Sequence, residues 1–150
     1  MIKINVGRTN LKIKDLMSKN VISVHIDDRL IKVKELFEKN SFHHLMVTND
    51  RGELVGVISD RDYTKAIHPN VDMPSATAKD LATLNKRVHQ IVKRDVICIT
   101  ENSSLRDAIK LFYENKISCL PVINSKNHAV GVVSWRDLLK WLYEKVANNH

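Results

Sequence analysis

Short apolar runs alternate with amphipathic helical patterns along most of the chain, and the two kinds of pattern recur in a fixed order. Runs rich in β-branched residues predict strands, and apolar residues at helical spacing predict helices. The first half gives strands over 21–24, 45–47 and 54–58 and helices over 30–40 and 60–67. The second half gives strands over 96–99, 120–123 and 129–133 and helices over 105–112 and 135–146. Each half therefore predicts the order β-α-β-β-α.

The two halves match each other as an internal duplication. The stretch from Gly56 to Asp62 (GVISDRD) is echoed from Gly131 to Asp137 (GVVSWRD), an offset of 75 residues. At this offset the Leu-Phe pair at 36–37 falls on the Leu-Phe pair at 111–112, and other apolar, turn and polar positions also match. Agreement of all three kinds of position over so long a run indicates duplication.

The remaining segments carry weaker patterns. Residues 1–10 are expected to form an arm or a short edge strand, and residues 11–17 a short helix that leads into the first repeat. Residues 68–74 read as an irregular connection and 75–92 as largely helical. The predicted boundaries are 11–68 for the first repeat, 69–87 for the connecting segment and 88–146 for the second repeat. Polar residues at 27–28 and 101–104 are expected to cap the helices that follow them.

The predicted fold class is α+β, with an α/β-like order of elements. Neither half is long enough to bury a good core alone, and each presents three strands with helices on one side. We therefore expect two pseudo-symmetric repeats packed sheet to sheet. Such a pair has a groove along its pseudo-twofold axis, where the two Gly-to-Asp corners would line equivalent clefts.

Composition narrows the class of protein. The chain has 150 residues, 43% of them hydrophobic and 27% charged, and no apolar run approaches the roughly 20 residues needed to span a bilayer. Cys98 and Cys119 lie in apolar segments, so we expect buried thiols and a cytoplasmic location. The net charge of +7 favours anionic partners, but the basic residues are spread along the chain. A solvated surface that assists a phosphate ligand is favoured over a nucleic-acid footprint.

The repeated corner permits two interpretations. Ser59 and Asp62, like Ser134 and Asp137, have the spacing of a helix capping box, in which the two residues satisfy backbone amides and bind nothing else. Alternatively, the free amides at the helix start and the Ser hydroxyl would suit a phosphate, while the Asp would accept from both hydroxyls of a ribose. Arg61 would add a cation for phosphate.

The equivalent cation in the second copy is Arg136. Gly56 and Gly131 would leave room for a close backbone approach by the ligand.

The chain resembles a tandem pair of cystathionine-β-synthase-type (CBS) domains, also called a Bateman module. We expect this module to stand alone. The resemblance extends from about Ile13 to about Leu142. Besides the two corners, it is carried by the DLMS sequence at 15–18 before VISV at 21–24, and by ISCLPV at 117–122.

The resemblance implies a regulatory ligand and a set of contacts. Such pairs bind adenosine-containing molecules: AMP, ADP, ATP or S-adenosylmethionine. Asp62 and Asp137 would hold ribose, while a Ser and an Arg of each corner would meet phosphate. The cleft of Asp137 would comprise Ser134, Arg136, Val132, Ile22, Phe42, His43 and Met17. The cleft of Asp62 would comprise Ser59, Arg61, Val57, Ile97, Ile117 and Ser118.

The two copies also differ. The first has His43 and His44 before Leu-Met-Val, where the second has Leu-Pro-Val, and residues 88–92 lack the Met-Ser of positions 17–18. The clefts are therefore not equivalent, and the Asp137 cleft is favoured. His43 or His44 is a candidate phosphate contact, but adjacent strand residues point to opposite faces and would not chelate one metal ion.

The sequence and the family resemblance allow three classes of function to be compared. A sensor of adenine nucleotides that passes occupancy to a partner protein is favoured, and a ligand-free dimerisation scaffold is the alternative. An enzyme is disfavoured, because the sequence shows no nucleophile with a paired base and no metal-ligand cluster. The resemblance further implies a homodimer formed through outer helices, around Leu36-Phe37, Leu111-Phe112 and Trp141.

Overall fold

The computed structural model describes residues 10–148, so the arm expected at the N-terminus falls almost entirely outside the described residues. The first repeat contains β1 (Ser23–His25), α2 (Leu30–Lys39), β2 (His44–Thr48), β3 (Leu54–Ser59) and α3 (Asp60–Ala66), and the short helix α1 (Ile13–Leu16) precedes it. The second contains β4 (Ile99–Thr100), α5 (Leu105–Glu114), β5 (Cys119–Ile123), β6 (Ala129–Ser134) and α6 (Trp135–Asn148). The predicted order β-α-β-β-α is confirmed in both copies.

The two three-stranded sheets have the same topology and the same register. In each sheet the middle strand pairs in parallel with the first and antiparallel with the third, in the orders β1-β2-β3 and β4-β5-β6. His44 faces Ser59 in one sheet, and Cys119 faces Ser134 in the other. The tight turns also correspond, because Gly52 and Asn127 both have positive φ, at 74° and 61°. Glycine and asparagine tolerate this conformation best.

The compact units differ from the linear repeats. One unit, unit 2, runs from Ile22 to Val96, while the other, unit 1, joins the described residues up to Val21 to those from Ile97 onward. Ile13 is fully buried in the core of unit 1, together with Leu120 and Val133 of the second repeat. Residues 11–17 therefore precede the strands of the first repeat in sequence but do not pack in the compact unit that those strands form. The helix they form packs instead on strands and helices about a hundred residues away in sequence.

The same exchange occurs before the second repeat. Val88 is fully buried in the core of unit 2, with Leu45 and Ile58 of the first repeat. Its amide donates to the carbonyl of Asp28 at 2.8 Å, and the amide of Ile13 donates to that of Ser103 at 2.9 Å in unit 1. The segment before each repeat thus completes the core of the other repeat. The two hydrogen bonds that hold these segments are equivalent under the 75-residue offset.

The segment 75–92 is less helical than its periodicity predicts. It contains the five-residue helix α4 (Ala78–Ala82) and two 3₁₀ turns, Thr83–Asn85 and Val88–Gln90. The Thr77 hydroxyl caps α4 by accepting from the amide of Asp80 at 3.2 Å. The apolar residues that predicted one long helix are divided between these short pieces.

For the first long helix of each repeat, α2 and α5, the predicted cap is correct only in the second repeat. Ser104 caps α5 in a reciprocal box with Asp107. In the first repeat the residue before α2 is Arg29, which makes no side-chain cap. Asp28 instead accepts from the amide of His25 at 2.7 Å and pairs with Lys32 at 3.0 Å. The carboxylate therefore closes the turn after β1 and does not cap the helix.

Candidate functional site

Both Gly-to-Asp corners lie where the third strand of a sheet ends and a helix begins, and both form complete capping boxes. In unit 2 the amide of Asp62 donates to Ser59 Oγ at 3.0 Å, and the amide of Ser59 donates to Asp62 Oδ2 at 3.1 Å. In unit 1 the amide of Ser134 donates to Asp137 Oδ2 at 2.7 Å, and that of Asp137 donates to Ser134 Oγ at 3.2 Å. The predicted capping boxes are therefore present, and each uses only one oxygen of its carboxylate.

The second carboxylate oxygen distinguishes the two corners. In unit 2 it lies near a cation, since Asp62 Oδ1 and Lys93 Nζ are 3.3 Å apart. Among the described residues of unit 1, no Lys, Arg or His forms an ion pair with Asp137. A carboxylate oxygen can accept more than one hydrogen bond. Asp137 therefore retains an acceptor for the hydroxyls of a ligand.

Each corner is bordered by the segment that precedes the opposite repeat. In unit 1 the amides and carbonyls of Ser18 and Val132 exchange two hydrogen bonds of 2.9 Å. In unit 2 those of Lys93 and Val57 exchange two of 3.2 and 3.4 Å. The carboxylate of each corner lies five residues after the strand member of its bridge. Val57 and Val132 are thus held by the backbone of the bordering segment.

The two corner glycines serve this bordering contact, and the expectation that they leave room for a ligand is wrong. A Cβ at Gly131 would lie 2.8 Å from Met17 Cγ and 3.0 Å from the Ser18 carbonyl oxygen. A Cβ at Gly56 would lie 2.8 Å from the Lys93 carbonyl oxygen and would also collide with Val92. Any side chain larger than hydrogen would push the bordering segment away from the sheet.

Substituting Gly131 by alanine should destabilise unit 1 by about 1–3 kcal/mol, because the added methyl group overpacks the contact with Met17. Both tryptophans of the chain, Trp135 and Trp141, lie in unit 1, so urea unfolding followed by Trp fluorescence measures the effect. The double variant with Met17→Ala should recover part of the loss. If the two substitutions are simply additive, the close contact is not the cause.

The described histidines next to the unit 2 corner form polar contacts of their own. His43 Nδ1 and Asp60 Oδ2 are 2.8 Å apart, and the amide of Asp60 donates to the carbonyl of His43 at 2.9 Å. Burial lowers the pKa of His44, which favours its neutral form. Unit 1 has Ser118 and Trp135 at the positions equivalent to His43 and Asp60. Within residues 10–148 no group of three or more His, Cys, Asp or Glu side chains is arranged to hold a metal ion.

The other predicted contacts are divided between the two units. Ile22, Phe42, His43 and Arg61 lie in unit 2 with Asp62, and Arg61 is exposed. Met17, Ile97, Ile117, Ser118 and Arg136 lie in unit 1 with Asp137, and Ser118 and Arg136 are exposed. Lys93 was missed by sequence reasoning, although the 75-residue offset places it on Ser18 and so marks a difference between the copies.

The corner carboxylate of unit 2 contributes to stability in a pH-dependent way. Burial would raise the pKa of Asp62, but hydrogen bonds from Ser59 and the charge of Lys93 outweigh it and lower the pKa below the ordinary 3.8. A depressed folded-state pKa stabilises the fold above the unfolded-state value and loses that contribution as pH falls through the folded value. The stabilisation is therefore complete above about pH 5 and disappears at lower pH.

We expect the free energy of unfolding of unit 2 to fall between pH 5 and pH 2, and Asp62→Asn to reduce that fall. Urea unfolding followed by circular dichroism at several pH values measures it. Asp107→Asn in unit 1 is a parallel case: hydrogen bonds from Ser104 in a capping box also lower the pKa of Asp107, so this variant should reduce the fall as well. An identical pH dependence in wild type and Asp62→Asn would show that Asp62 does not contribute.

The fold and the site define a class of protein: duplicated α+β chains with a Gly-x-x-Ser-x-x-Asp corner in each copy. The model of the CBS domain family matches residues 13–69 and 88–144, and the chain belongs to that family. The resemblance inferred from the sequence and the predicted fold class are thereby confirmed. The family model follows the linear repeats, whereas the compact units exchange the segments that precede them.

Relatives of this chain include short and long proteins. It is 32% identical to the uncharacterized protein MJ1426 of Methanocaldococcus jannaschii, with 93% of this chain and 96% of that protein aligned. It is 30% identical to the inosine-5′-monophosphate dehydrogenase of the same organism, but there 86% of this chain aligns with only 23% of the enzyme. Similar pairs therefore occur both as nearly whole proteins and as parts of longer enzymes.

A solved structure is similar in fold and is described with its ligands. The CBS domain pair of protein MJ0100, in complex with 5′-methylthioadenosine and S-adenosyl-L-methionine, matches with a TM-score of 0.73 and 25% identity. The match covers 91% of this chain and 99% of that structure.

No helix within residues 10–148 has both the length and the apolar character needed to cross a bilayer.

Proposed function

We propose that this chain is a regulatory module that binds an adenosine-containing ligand at the Ser134–Asp137 corner of unit 1. The observation that carries the proposal is the Asp137 carboxylate: one oxygen closes the capping box, and no Lys, Arg or His within residues 10–21 and 97–148 forms an ion pair with the group. The similar domain pair of MJ0100, bound to 5′-methylthioadenosine and S-adenosyl-L-methionine, supports a ligand of this class.

The corner residues have distinct proposed roles. Asp137 accepts hydrogen bonds from the two ribose hydroxyls, because a carboxylate has acceptor sites left after capping. Ser134 Oγ donates to Asp137 Oδ2 at 3.0 Å in the structure, so it must change partner to donate to a phosphate oxygen. Arg136 is exposed beside it and supplies a cation for an anionic group. Val132 borders the site through its backbone bridge to Ser18, and Met17 lies against Gly131.

The Ser59–Asp62 corner of unit 2 is proposed as a second, weaker site of the same class, with Arg61 and Val57 in the equivalent roles. Asp62 is partly neutralised by Lys93, which lies beside the carboxylate oxygen that the capping box leaves for a ribose. The adenine contacts of Ile22, Phe42 and His43, and of Ile97, Ile117 and Ser118, remain predictions from the family resemblance.

Regulation requires that the ligand bind two arrangements of the protein with different affinity. We propose that occupancy is transmitted in this way to a partner protein, and that the chain itself is regulatory and not catalytic. The two cysteines support a reducing, cytoplasmic setting, since both are free thiols and burial raises the pKa of Cys119 to about 11. A thiol with so high a pKa is mostly protonated and unreactive.

Isothermal titration of the full chain with AMP, ADP, ATP, S-adenosylmethionine and 5′-methylthioadenosine tests the ligand class. We expect micromolar binding of at least one of them at the unit 1 corner, which Asp62→Ala retains, and only the weaker binding of the unit 2 corner in Asp137→Ala. If none of the five binds the folded chain, the corners are capping boxes only.

Exposed apolar side chains favour assembly, and the dimerisation scaffold is therefore the second candidate. The helix residues Leu36, Phe37, Leu111 and Phe112, expected to form the dimer interface, pack against the cores of their own units. Among the described residues of unit 1, the large exposed apolar side chains are Ile109, Tyr113, Trp135, Leu139 and Tyr143.

We propose a homodimer that buries part of this surface, and light scattering at micromolar concentration measures it. The expected molar mass is twice the 17.2 kDa of the chain. A monomer at that concentration would contradict the dimer, and a dimer that binds no adenosine ligand would favour the scaffold.

A further inference from the structure

The two corners present different charges to a ligand, and the difference lies in one residue of the bordering segment. In unit 2 Lys93 Nζ is 3.3 Å from Asp62 Oδ1; the lysine side chain is 74% exposed and the aspartate side chain 15%. In unit 1 the equivalent residue is Ser18, whose Oγ accepts from the amide of Asn20 at 3.3 Å. Both residues form the same backbone bridge to their sheets, to Val57 and Val132.

The ion pair has a direct consequence for any ligand that uses Asp62 as a ribose acceptor. Asp62 Oδ2 already accepts from the Ser59 amide, so a ribose diol must compete with Lys93 for Oδ1. A ligand without an anionic group displaces the ammonium and gives it no new partner. A ligand with a phosphate lets the ammonium move from the carboxylate to the phosphate, and the released oxygen takes the diol.

We propose that Lys93 sets the ligand class of the unit 2 corner: this corner selects adenosine ligands that carry a phosphate, whereas the unit 1 corner accepts adenosine ligands without one. The inference rests on the proposed function of the corners and adds their specificity. Lys93 acts here as a specificity-determining residue, and Ser18 is its neutral counterpart.

The exposure of Lys93 makes the exchange of partners easy. Exposed ion pairs contribute little to stability, because water solvates both charges and the long side chain loses freedom when it is held. Hydrogen bonds to charged groups are stronger when the other partner is also charged and partly desolvated. The ammonium can therefore leave Asp62 at small cost when a phosphate is present.

Matched ligands and variants separate this proposal from general charge effects. AMP and adenosine share base and ribose and differ only in the phosphate, so the ratio of their affinities measures phosphate selection. Titrating both into the Asp137→Asn chain observes the unit 2 corner alone, with and without Lys93→Met. Lys79→Met, an exposed lysine of α4, is the control for loss of one positive charge.

We expect AMP to bind the Asp137→Asn chain more tightly than adenosine by on the order of tenfold. Lys93→Met should bring that ratio close to one, weakening AMP and strengthening adenosine, while Lys79→Met should leave it unchanged. The reciprocal variant, Ser18→Lys on the Asp62→Asn chain, should weaken adenosine at the unit 1 corner and spare AMP.

The outcomes distinguish the proposed specificity of Lys93 from the proposed sensor function. An unchanged ratio in Lys93→Met, or no binding of AMP to the Asp137→Asn chain although the wild type binds it, overturns the specificity proposal and leaves the sensor function standing. No binding of AMP, adenosine or any other adenosine compound by the wild type overturns the proposed function and this inference with it.

Discussion

Replacing Asp137 by asparagine should weaken the binding of an adenosine ligand to unit 1 by about 2–4 kcal/mol, at least 30-fold, while the protein stays folded. The amide keeps one oxygen that can accept from the Ser134 amide and so preserve the cap. It replaces the other acceptor with a donor and removes the charge that strengthens hydrogen bonds from the ribose hydroxyls. Isothermal titration with the ligand that the wild type binds best measures the loss.

The control for this substitution lies in the same unit. Asp107 forms an equivalent capping box with Ser104 at the start of α5, but it has no proposed ligand. Asp107→Asn should therefore change the free energy of unfolding by about as much as Asp137→Asn and leave the affinity unaltered. Equal losses of affinity in both variants would mean that Asp137 acts only through the stability of its helix.

Truncating Ile13 to alanine should destabilise unit 1 by about 2–5 kcal/mol, although the residue lies close to the start of the chain. Ile13 is completely buried in the core that also contains Ile99 and Leu120. Removing its side chain leaves a cavity among residues of the second repeat. Urea unfolding monitored by fluorescence of the two tryptophans, both in unit 1, measures the effect.

An isoleucine at the surface supplies the comparison. Ile31 of α2, in unit 2, is 40% exposed, so Ile31→Ala should cost less than about 1 kcal/mol when the unfolding of both variants is followed by circular dichroism. If Ile13→Ala is as mild as Ile31→Ala, the first helix does not belong to the core of unit 1, and the exchange of segments between repeats is incorrect.

The repeats themselves were predictable because their patterns are local. Strand and helix periodicities gave the order of elements, and the 75-residue offset matched the corners, the Leu-Phe pairs and the turns. The capping boxes were predictable for the same reason, since Ser59 contacts a residue only three positions away. Interactions of this kind are encoded within a few residues of each other.

The exchange of segments was not predictable from periodicity. Ile13 and Val88 show helical spacing, but a helical pattern does not specify which sheet the helix covers. Gly131 illustrates the same difficulty, because a glycine needed for contact with Met17 cannot be distinguished in sequence from one needed for a ligand. Lys93 lies between the helix predicted over 75–92 and the strand predicted over 96–99, and no pattern marks it. Its ion pair with Asp62 depends on the backbone bridge to Val57.

The most direct test of the central claim is an NMR titration of the ¹⁵N-labelled chain with the adenosine ligand that it binds most tightly. We expect the largest chemical-shift changes at the amides of Ser134 and Asp137, whose hydrogen bonds the ligand would alter, and at the amide of Ser18 on the bordering segment. Saturable binding with no shift at these amides would contradict the assignment of the ligand to this corner.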